Sequence, residues 1–216
     1  MSSAGARILG TGMAVPERVM TNADIEKVVA TTDEWIVERS GIRQRHIAEP
    51  GMPLSTLAAD AGRMAIEEAG ITAAEVDLII VATVTGDMKF PSAACFVQEK
   101  LGATNAAAFD IAAACSGFLY GLSLADALIR LGNHRHILVI GGEILSSMVD
   151  WSDRETCVLF GDGAGAALLG PANGSDGIMS SVMKSDGRHT ALLQSPGCGS
   201  LHPPTVENLN DKLQYI

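Results

Sequence analysis

The stretch Ala107-Ala-Phe-Asp-Ile-Ala-Ala-Ala-Cys115-Ser-Gly-Phe-Leu-Tyr-Gly121 sets a cysteine between an apolar strand pattern and an apolar helix pattern. Residues 107–112 are typical of a short buried strand, and residues 116–131 predict a helix. Cys115 is therefore predicted to lie in the first turn of that helix. Unpaired N–H groups and the positive end of the helix dipole favour an anion there, so the thiol is a candidate nucleophile. The alternative is an inert core cysteine, and this stretch alone leaves both interpretations open.

Strand and helix patterns alternate along the rest of the chain. Residues 7–12, 78–84 and 136–142 are predicted strands, and the second is apolar throughout, as in a strand covered on both faces. Residues 55–70 predict an amphipathic helix, and Pro91 suits the first turn of another. The apolar side of the amphipathic helix comprises Leu57, Ala61, Met64, Ala65 and Ala69. This alternation predicts an α/β fold with right-handed crossovers and a mostly parallel sheet.

Local signals mark several element ends. A hydroxyl residue precedes an acidic one by three positions in residues 21–24 and 72–75, as in a capping box. Trp35 and Arg39 are four residues apart, on one face of a predicted helix that Gly41 is placed to cap.

A glycine-rich segment interrupts the strand pattern of residues 158–169. Gly163-Ala-Gly165 within it lacks the dinucleotide-binding spacing and leads into no obvious helix. Close strand packing is therefore preferred to a nucleotide-binding loop.

Composition excludes several classes of protein. Hydrophobic residues make up 47% of the 216 positions and charged residues only 19%, which supports a sizeable core. A net charge of −10 and few aromatic residues argue against nucleic-acid binding. The sequence has neither a signal-peptide pattern nor an apolar run of about 20 residues, so no membrane association is predicted.

Cysteine usage favours a reducing compartment. Cys95, Cys115, Cys157 and Cys198 form neither a CxxC pair nor a Cys/His cluster, so no metal site is predicted. A cytoplasmic location is the simplest expectation, because a free thiol persists there.

Four stretches carry a more specific signal. They are Thr31-Thr-Asp-Glu-Trp-Ile-Val-Glu-Arg-Ser-Gly-Ile-Arg43, Phe90-Pro-Ser-Ala-Ala-Cys95, Ala112-Ala-Ala-Cys-Ser-Gly-Phe118 and Phe160-Gly-Asp-Gly-Ala-Gly-Ala166. In this order they closely resemble segments of β-ketoacyl-acyl carrier protein synthase III, a thiolase-fold condensing enzyme. The resemblance runs from about Arg7 to the end of the chain.

The resemblance implies a thiolase-like α/β fold with duplicated α-β-α layered halves and mostly parallel central sheets. Residues 1–170 would form the first half, with the nucleophilic cysteine, and residues 171–216 the start of an incomplete second half, opening with a strand at 177–183. The chain ends in an apolar, strand-like segment, residues 211–216. Relatives are expected to continue for roughly another hundred residues, so the chain is expected to be a fragment.

The implied reaction is a decarboxylating Claisen condensation that initiates fatty acid synthesis. A short acyl group, expected to be acetyl, would move from coenzyme A to Cys115, and malonyl-acyl carrier protein would then supply the enolate. Acyl-CoA is a substrate here, so no cofactor is implied. The family's catalytic His and Asn would lie beyond residue 216. The chain's histidines, none of which has the family's local motif, are His46, His134, His136, His189 and His202.

The resemblance also assigns residues to coenzyme A. Trp35 matches the residue that stacks on the adenine, and Arg39 and Arg154 match the nucleotide and phosphate region, with Thr31 on the same surface. Without the resemblance, Trp35 would be interpreted as a helix-packing residue and both arginines as solvated charges.

The acyl pocket is expected to involve Phe90, Leu145, Leu159 and Phe160. In the family, the residue matching Phe90 reaches across a twofold interface, so a homodimer is implied, paired through the strands at 78–84 and 107–112. A bulky Phe there suggests a short starter.

Three other functions remain open at this point. A relative could prime polyketide synthesis, and a half-domain without the His and Asn could act as a non-catalytic partner. The third of these functions is a cysteine hydrolase, although no local His/Asn setting supports it.

Overall fold

The computed structural model describes residues 5–173 and 176–216. The strands are β1 Ala6–Ala14, β2 Val19–Thr21, β3 Gln44–His46, β4 Leu78–Ala82, β5 Ala107–Ile111, β6 Ile137–Ile144 and β7 Asp162–Pro171. The α-helices are α1 Asn22–Ile25, α2 Asp33–Ser40, α3 Leu54–Glu68, α4 Ala93–Leu101, α5 Gly117–Arg130, α6 Arg154–Cys157 and α7 Val206–Asn210. Short 3₁₀ turns cover Ala73–Glu75, Ala114–Ser116, Leu145–Ser147 and Gly187–Leu192.

Five of the strands form one sheet in the order β1-β7-β6-β4-β5. β4 is parallel to both β5 and β6, while β1 and β7 are antiparallel to each other. Parallel strands need crossover connections, and α4 and α5 supply them for β4 to β5 and β5 to β6. The predicted α/β class is confirmed.

Helices cover both faces of this sheet. A Cβ at Gly62 of α3 would come within 3.1 Å of Leu138, and one at Gly121 of α5 would come within 2.7 Å of Val139. Leu138 and Val139 are consecutive residues of β6, so their side chains point to opposite faces. α3 and α5 therefore lie on opposite sides, and the α-β-α layering is confirmed.

β4 and β5 differ in burial, although both were predicted to be buried. Every residue of β4 is buried, because β5 and β6 flank it and helices cover it. β5 is only half-buried, and its first residue is exposed, which corrects the prediction. The physical reason is its place at the edge of the sheet, where no strand of the described residues pairs with its outer side.

Several local predictions are confirmed by backbone geometry. Thr21 and Thr72 both form capping boxes, with Asp24 and Glu75 respectively. Gly41 ends α2 with a φ of 75°, in the left-handed region that glycine adopts without a Cβ penalty. The glycines of residues 163–165 lie within β7, which is consistent with strand packing.

Two helix predictions need correction. Pro91 precedes Ser92, the N-cap of α4, so it lies before the first turn and not in it. Met64 of α3 is 48% exposed, although Ala61 and Ala65 of the same predicted face are buried. The buried face also includes Ala58 and Gly62, so its centre lies away from Met64.

Three predicted strand segments are also wrong. Residues 158–161 form a turn and a short link without regular structure, and β7 begins only at Asp162. Residues 177–183 have no regular structure, and residues 211–216 form a turn after α7. An apolar run becomes a strand only when a neighbouring strand pairs with it in a ladder of backbone hydrogen bonds. Residues 177–183 and 211–216 join no ladder within the described residues. The Ile178 N–H donates to the Ala6 carbonyl of β1 at 2.8 Å, and the Ile216 N–H donates to the Met148 carbonyl at 2.9 Å, but neither bond is extended into a ladder.

The chain divides into two compact units. Unit 1 comprises the described residues of Met1–Pro16, Glu49–Glu143 and Gly163–Met183 and contains most of the five-stranded sheet. Unit 2 comprises Glu17–Ala48, Ile144–Asp162 and Lys184–Ile216. The boundary predicted near residue 170 separates the two halves of a duplicated fold, which is not the division between these two compact units. The predicted boundary therefore stays a prediction.

Unit 2 has its own apolar cluster. Its buried members are Ile25, Ile36, Val149, Cys157 and Val158. Partly buried Trp35 and Phe160 are among the residues packed against it. No helix in the described part of the chain is long and apolar enough to cross a membrane.

Candidate active site

Cys115 lies in the 3₁₀ turn Ala114–Ser116, which joins β5 to α5. The α-helix itself begins at Gly117, so the prediction that Cys115 occupies its first turn is off by one short turn. Ala114 has a φ of 44°, a left-handed conformation that is unfavourable for a residue with a Cβ. The thiol of Cys115 is free and exposed, as a nucleophile requires.

This turn lies at the carboxyl edge of the parallel strands in unit 1. Ala82 at the end of β4 is in register with Ile111 of β5 and Gly141 of β6. Since β5 and β6 flank β4 on opposite sides, the strand order changes direction at β4. Ligands of open α/β sheets bind outside the carboxyl ends of the strands at such a switch point. The topology therefore brings Cys115 to the edge where a substrate site is expected.

Glu143 organises the segment that follows β4, a role that sequence reasoning missed. Its carboxylate accepts hydrogen bonds from the Val84 backbone N–H at 2.9 Å, the Thr83 hydroxyl at 3.1 Å and the Thr85 hydroxyl. The sequence did contain a signal for this role: Glu143 is an acidic residue near the end of an otherwise apolar, buried strand. A charged side chain in such a place needs hydrogen-bond donors around it.

Two further carboxylates hold the segment between β4 and α4. Asp110 of β5 accepts the Ala93 and Ala94 N–H groups at 2.6 and 2.8 Å, and Asp87 accepts the Ser55 N–H at 2.9 Å. Phe90 lies between these anchor points with 83% of its surface exposed. An exposed phenylalanine on an anchored segment suits an interface, and its assignment to an acyl pocket stays a prediction.

In unit 2, three of the predicted coenzyme A residues come together. The Arg39 guanidinium carbon lies 4.4 Å from the Trp35 ring centroid, and that of Arg154 lies 4.7 Å from it. Arg154 also donates a long hydrogen bond of 3.4 Å to the Ala30 carbonyl. Trp35 is also partly buried against the apolar cluster. Packing in the core and binding of a ligand are therefore compatible roles for this side chain, because an aromatic ring can be buried on one side and accessible on another.

Thr31 sits one residue before the N-cap of α2. Its hydroxyl oxygen is buried and finds no hydrogen-bond partner among the described residues. A buried hydroxyl without a partner is unfavourable, which is compatible with a polar ligand atom near it.

The other predicted pocket residues of unit 2 lie in two segments. Leu145 begins the turn Leu145–Ser147, and Leu159 and Phe160 lie between α6 and β7. Leu159 is 45% exposed, whereas Phe160 is half-buried against the apolar cluster.

Cys157 differs sharply from Cys115. It is fully buried, and burial raises the pKa of its thiol, with the Asp153 carboxylate adding to the effect. The buried Arg45 guanidinium opposes this increase, and burial in turn lowers the pKa of Arg45 below its ordinary value. A buried thiol that resists ionisation is an inert core residue.

Within the described residues no group of three or more His, Cys, Asp or Glu side chains is arranged to hold a metal ion.

Comparisons with known proteins agree with this architecture. The family described as 3-oxoacyl-[acyl-carrier-protein (ACP)] synthase III matches residues 109–187, which include Cys115. A β-ketoacyl-[acyl-carrier-protein] synthase III of Natranaerobius thermophilus is 53% identical over 214 residues, covering 98% of this chain and 65% of the relative. The chain thus spans slightly less than two thirds of that relative's length.

Two solved structures are similar in fold. The crystal structure of 3-oxoacyl-[acyl-carrier-protein] synthase III from Aquifex aeolicus VF5 matches with a TM-score of 0.87 and 45% identity, over 96% of this chain and 67% of that one. The priming β-ketosynthase from the R1128 polyketide biosynthetic pathway matches with a TM-score of 0.76 and 40% identity, over 79% of this chain and 51% of that one. These matches confirm the thiolase-like fold, and the chain belongs to the β-ketoacyl-acyl carrier protein synthase III family.

Proposed function

We propose that the full-length protein condenses a short acyl-CoA, acetyl-CoA in the first instance, with malonyl-acyl carrier protein to start fatty acid synthesis. The observation that carries this proposal is the exposed Cys115 thiol on a turn at the carboxyl edge of the parallel strands. The reaction uses acyl-CoA as a substrate and needs no cofactor. A cytoplasmic location suits it, because the nucleophile is a free thiol.

The first half-reaction acylates Cys115. Its thiolate attacks the thioester carbonyl of acyl-CoA, and the resulting oxyanion is stabilised by backbone N–H donors, for which Cys115 N–H is the candidate. The intermediate collapses to acyl-Cys115 and releases coenzyme A as the leaving thiolate.

The second half-reaction forms the carbon–carbon bond. Malonyl-acyl carrier protein loses CO₂, and the electron pair of the broken bond forms a thioester enolate. The enolate attacks the acyl-Cys115 carbonyl, and the Cys115 thiolate leaves, giving β-ketoacyl-acyl carrier protein. Donors to the enolate oxygen lower this barrier, and a His and an Asn would serve in the family mechanism.

Unit 2 residues are assigned to substrate binding. Trp35 supplies an aromatic face for the adenine, and Arg39 and Arg154 supply cations for the phosphates, with Thr31 as a hydrogen-bonding neighbour. Both guanidiniums already lie close to the ring, so an adenine that stacks where either guanidinium lies requires that guanidinium to shift.

We further propose a homodimer in which Phe90 contributes to the partner's acyl pocket beside Leu145, Leu159 and Phe160. Pairing through β4 is ruled out, because β5 and β6 already occupy both of its edges. Of the two strands predicted to pair, only β5 has an outer edge that no strand of the described residues occupies, so the proposed pairing uses that edge.

A starter enzyme of polyketide synthesis is the second candidate. The 40% identity to a priming β-ketosynthase favours it, and the Cys115 turn would serve equally well there. A non-catalytic partner is disfavoured, because an exposed thiol next to a strained backbone has no evident structural use.

Residues 1–216 alone are proposed to be unable to condense malonyl-acyl carrier protein. The reason is chemical: none of the five histidines has the setting of the enolate-stabilising His. Purified residues 1–216 with verified intact mass should give no β-ketoacyl product, and full activity would contradict both this proposal and the mechanism.

The decisive test uses the full-length protein with a panel of acyl-CoA starters and malonyl-acyl carrier protein. Acetyl-CoA should label Cys115, as seen by mass spectrometry of the acyl peptide, and should yield β-ketoacyl-acyl carrier protein. Cys115→Ala should lose both, by at least about 10³-fold. Labelling of Cys115→Ala at the wild-type level would refute the assignment, and preference for a longer or branched starter would favour polyketide priming.

A further inference from the structure

Asp162 is a buried carboxylate that the proposed mechanism does not use. It is the first residue of β7, it belongs to unit 2, and only 7% of its surface is exposed. A charge in such a place persists only when donors surround it, so its partners show what it holds.

Those partners come from two other segments of unit 2. Asp162 Oδ1 accepts the Ser146 backbone N–H at 2.8 Å, and Oδ2 accepts the Ser146 hydroxyl at 2.6 Å. Oδ2 also accepts the Ala48 backbone N–H at 2.6 Å. Ser146 is the residue after Leu145 in the turn Leu145–Ser147, so the carboxylate directly restrains the backbone that carries Leu145.

The segment before Asp162 is restrained as well. Arg45 donates from one end of its guanidinium to the Asn22 side-chain oxygen at 2.6 Å and from the other to the Val158 carbonyl. A Cβ at Gly161 would come within 2.9 Å of Arg45 Cβ and 3.1 Å of the His46 carbonyl oxygen. Leu159 and Phe160 therefore lie between two fixed points, Val158 and Gly161–Asp162.

We propose that Asp162 is a positioning residue that sets acyl-chain selectivity, by fixing the Leu145 turn relative to the Leu159–Phe160 segment. This inference rests on the proposed function, in which these three side chains line the acyl chain. Asp162 itself touches no substrate, because its oxygens are occupied by three donors and shielded from solvent. It acts through the geometry of its neighbours.

Asp162→Asn is the isosteric test. The new amide replaces one acceptor oxygen by a donor, so it faces a donor from either Ser146 or Ala48 and leaves that group without a partner. The Leu145 turn then loses its fixed place, and a longer acyl chain gains relative to acetyl. We expect the ratio of kcat/KM for acetyl-CoA over butyryl-CoA to fall about threefold or more, since pocket contacts discriminate methylene groups on that scale or above.

A matched control is available in unit 1. Asp126 is also largely buried, with 13% of its side chain exposed; it accepts the Ala6 backbone N–H at 2.6 Å and the Arg130 Nε–H at 2.7 Å. Neither of these two hydrogen-bond partners of Asp126 is one of the residues assigned to the acyl chain. Asp126→Asn should lower the melting temperature and leave the acetyl-to-butyryl ratio unchanged.

The measurement is acylation of Cys115 in the full-length protein by each acyl-CoA, with coenzyme A affinity and melting temperature recorded for every variant. A changed ratio in Asp162→Asn, an unchanged ratio in Asp126→Asn and unchanged coenzyme A affinity in both support the proposal. An unchanged ratio in folded Asp162→Asn overturns it. If Asp162→Asn does not fold, Ser146→Ala replaces it as the test, because this variant removes only the hydroxyl donor. A fall in the acetyl-to-butyryl ratio of Ser146→Ala supports the proposal, and an unchanged ratio overturns it.

Failure of the proposed function has a separate signature. Wild-type protein that is not acylated at Cys115 by any acyl-CoA would overturn the proposed function and this inference with it. Normal wild-type acylation with an unaltered ratio in the variants overturns the inference alone.

Discussion

Cys115 and Cys157 show how two regions give one residue type opposite properties. Cys115 lies in unit 1 on an exposed turn between β5 and α5, whereas Cys157 ends α6 in the apolar core of unit 2. Both cysteines lie at an end of a helix or directly before one, and both are followed within three residues by large apolar side chains. The surroundings decide which can react, because burial raises the pKa of Cys157 and excludes reagents from it.

The two regions also differ in what they contribute. The Cys115 region presents the candidate nucleophile next to Ala114, whose φ of 44° is unfavourable for a residue with a Cβ. The Cys157 region is a packed cluster whose outer surface carries Trp35. A reactive group needs exposure, whereas a side chain that binds a ligand needs packing behind it. The candidate residues for these two roles lie in separate compact units.

The largest expected contrast is in alkylation. Iodoacetamide should modify Cys115 of the native protein at least about 100-fold faster than Cys157, because Cys157 reacts only after local opening. Peptide mass spectrometry at successive times measures both rates. In urea-unfolded protein the two rates should converge, and equal rates in the native protein would contradict the comparison.

The unit 2 surface can be tested next, with Arg154→Ala. Loss of a charged phosphate contact should raise the apparent KM for acyl-CoA by about 5- to 150-fold, equivalent to about 1–3 kcal/mol. The KM for malonyl-acyl carrier protein should change far less. Lys27→Ala is the control, because Lys27 pairs with Asp24 at 2.8 Å and is not one of the two cations at Trp35. Equal effects on both substrates would argue against a nucleotide role.

Backbone strain beside Cys115 can be measured with paired glycine variants. Ala114→Gly relieves a left-handed φ and should raise the free energy of unfolding by about 0.5–1 kcal/mol relative to Ala113→Gly. Ala113 has a φ of −145°, so glycine there only increases the entropy of the unfolded chain. Urea unfolding of both variants gives the difference, and greater stability of Ala113→Gly would show that the turn is not strained.

The smallest effect is a pH dependence in unit 2. Hydrogen bonds from Lys212 and Ser152 lower the pKa of Asp150 to about 2. The ionised group therefore stabilises the fold fully above its unfolded pKa of about 4, and this stabilisation is lost as the pH falls towards 2. Asp150→Asn should lose less stability than wild type between pH 5 and pH 2.5 in urea unfolding. Identical pH profiles would exclude this linkage.

Local chemistry was predictable where a few neighbouring residues decide the structure. The capping boxes at Thr21 and Thr72, the glycine end of α2 and the shared face of Trp35 and Arg39 all follow from spacing along one segment. The family could also be recognised, because its motifs are contiguous.

An apolar run was correctly predicted as a strand only where neighbouring strands pair with it. The patterns of β4 and of residues 177–183 both suggested strands, but only β4 pairs with a strand on each side. Among the described residues, the segment 177–183 bonds to β1 through the Ile178 N–H and the Ala6 carbonyl without forming a ladder. A strand is stabilised by hydrogen bonds to other segments, which no local pattern contains.

The sequence by itself determined the α/β class, the family and the identity of Cys115 as the candidate nucleophile. Only the tertiary structure decided that Cys115 precedes α5, that β5 is an edge strand, and that Glu143 and Asp162 hold segments far from them in sequence. The physical reason is the range of the forces involved. Helix caps and side-chain spacing act over a few residues, whereas the partners of a buried carboxylate are chosen by how distant segments pack.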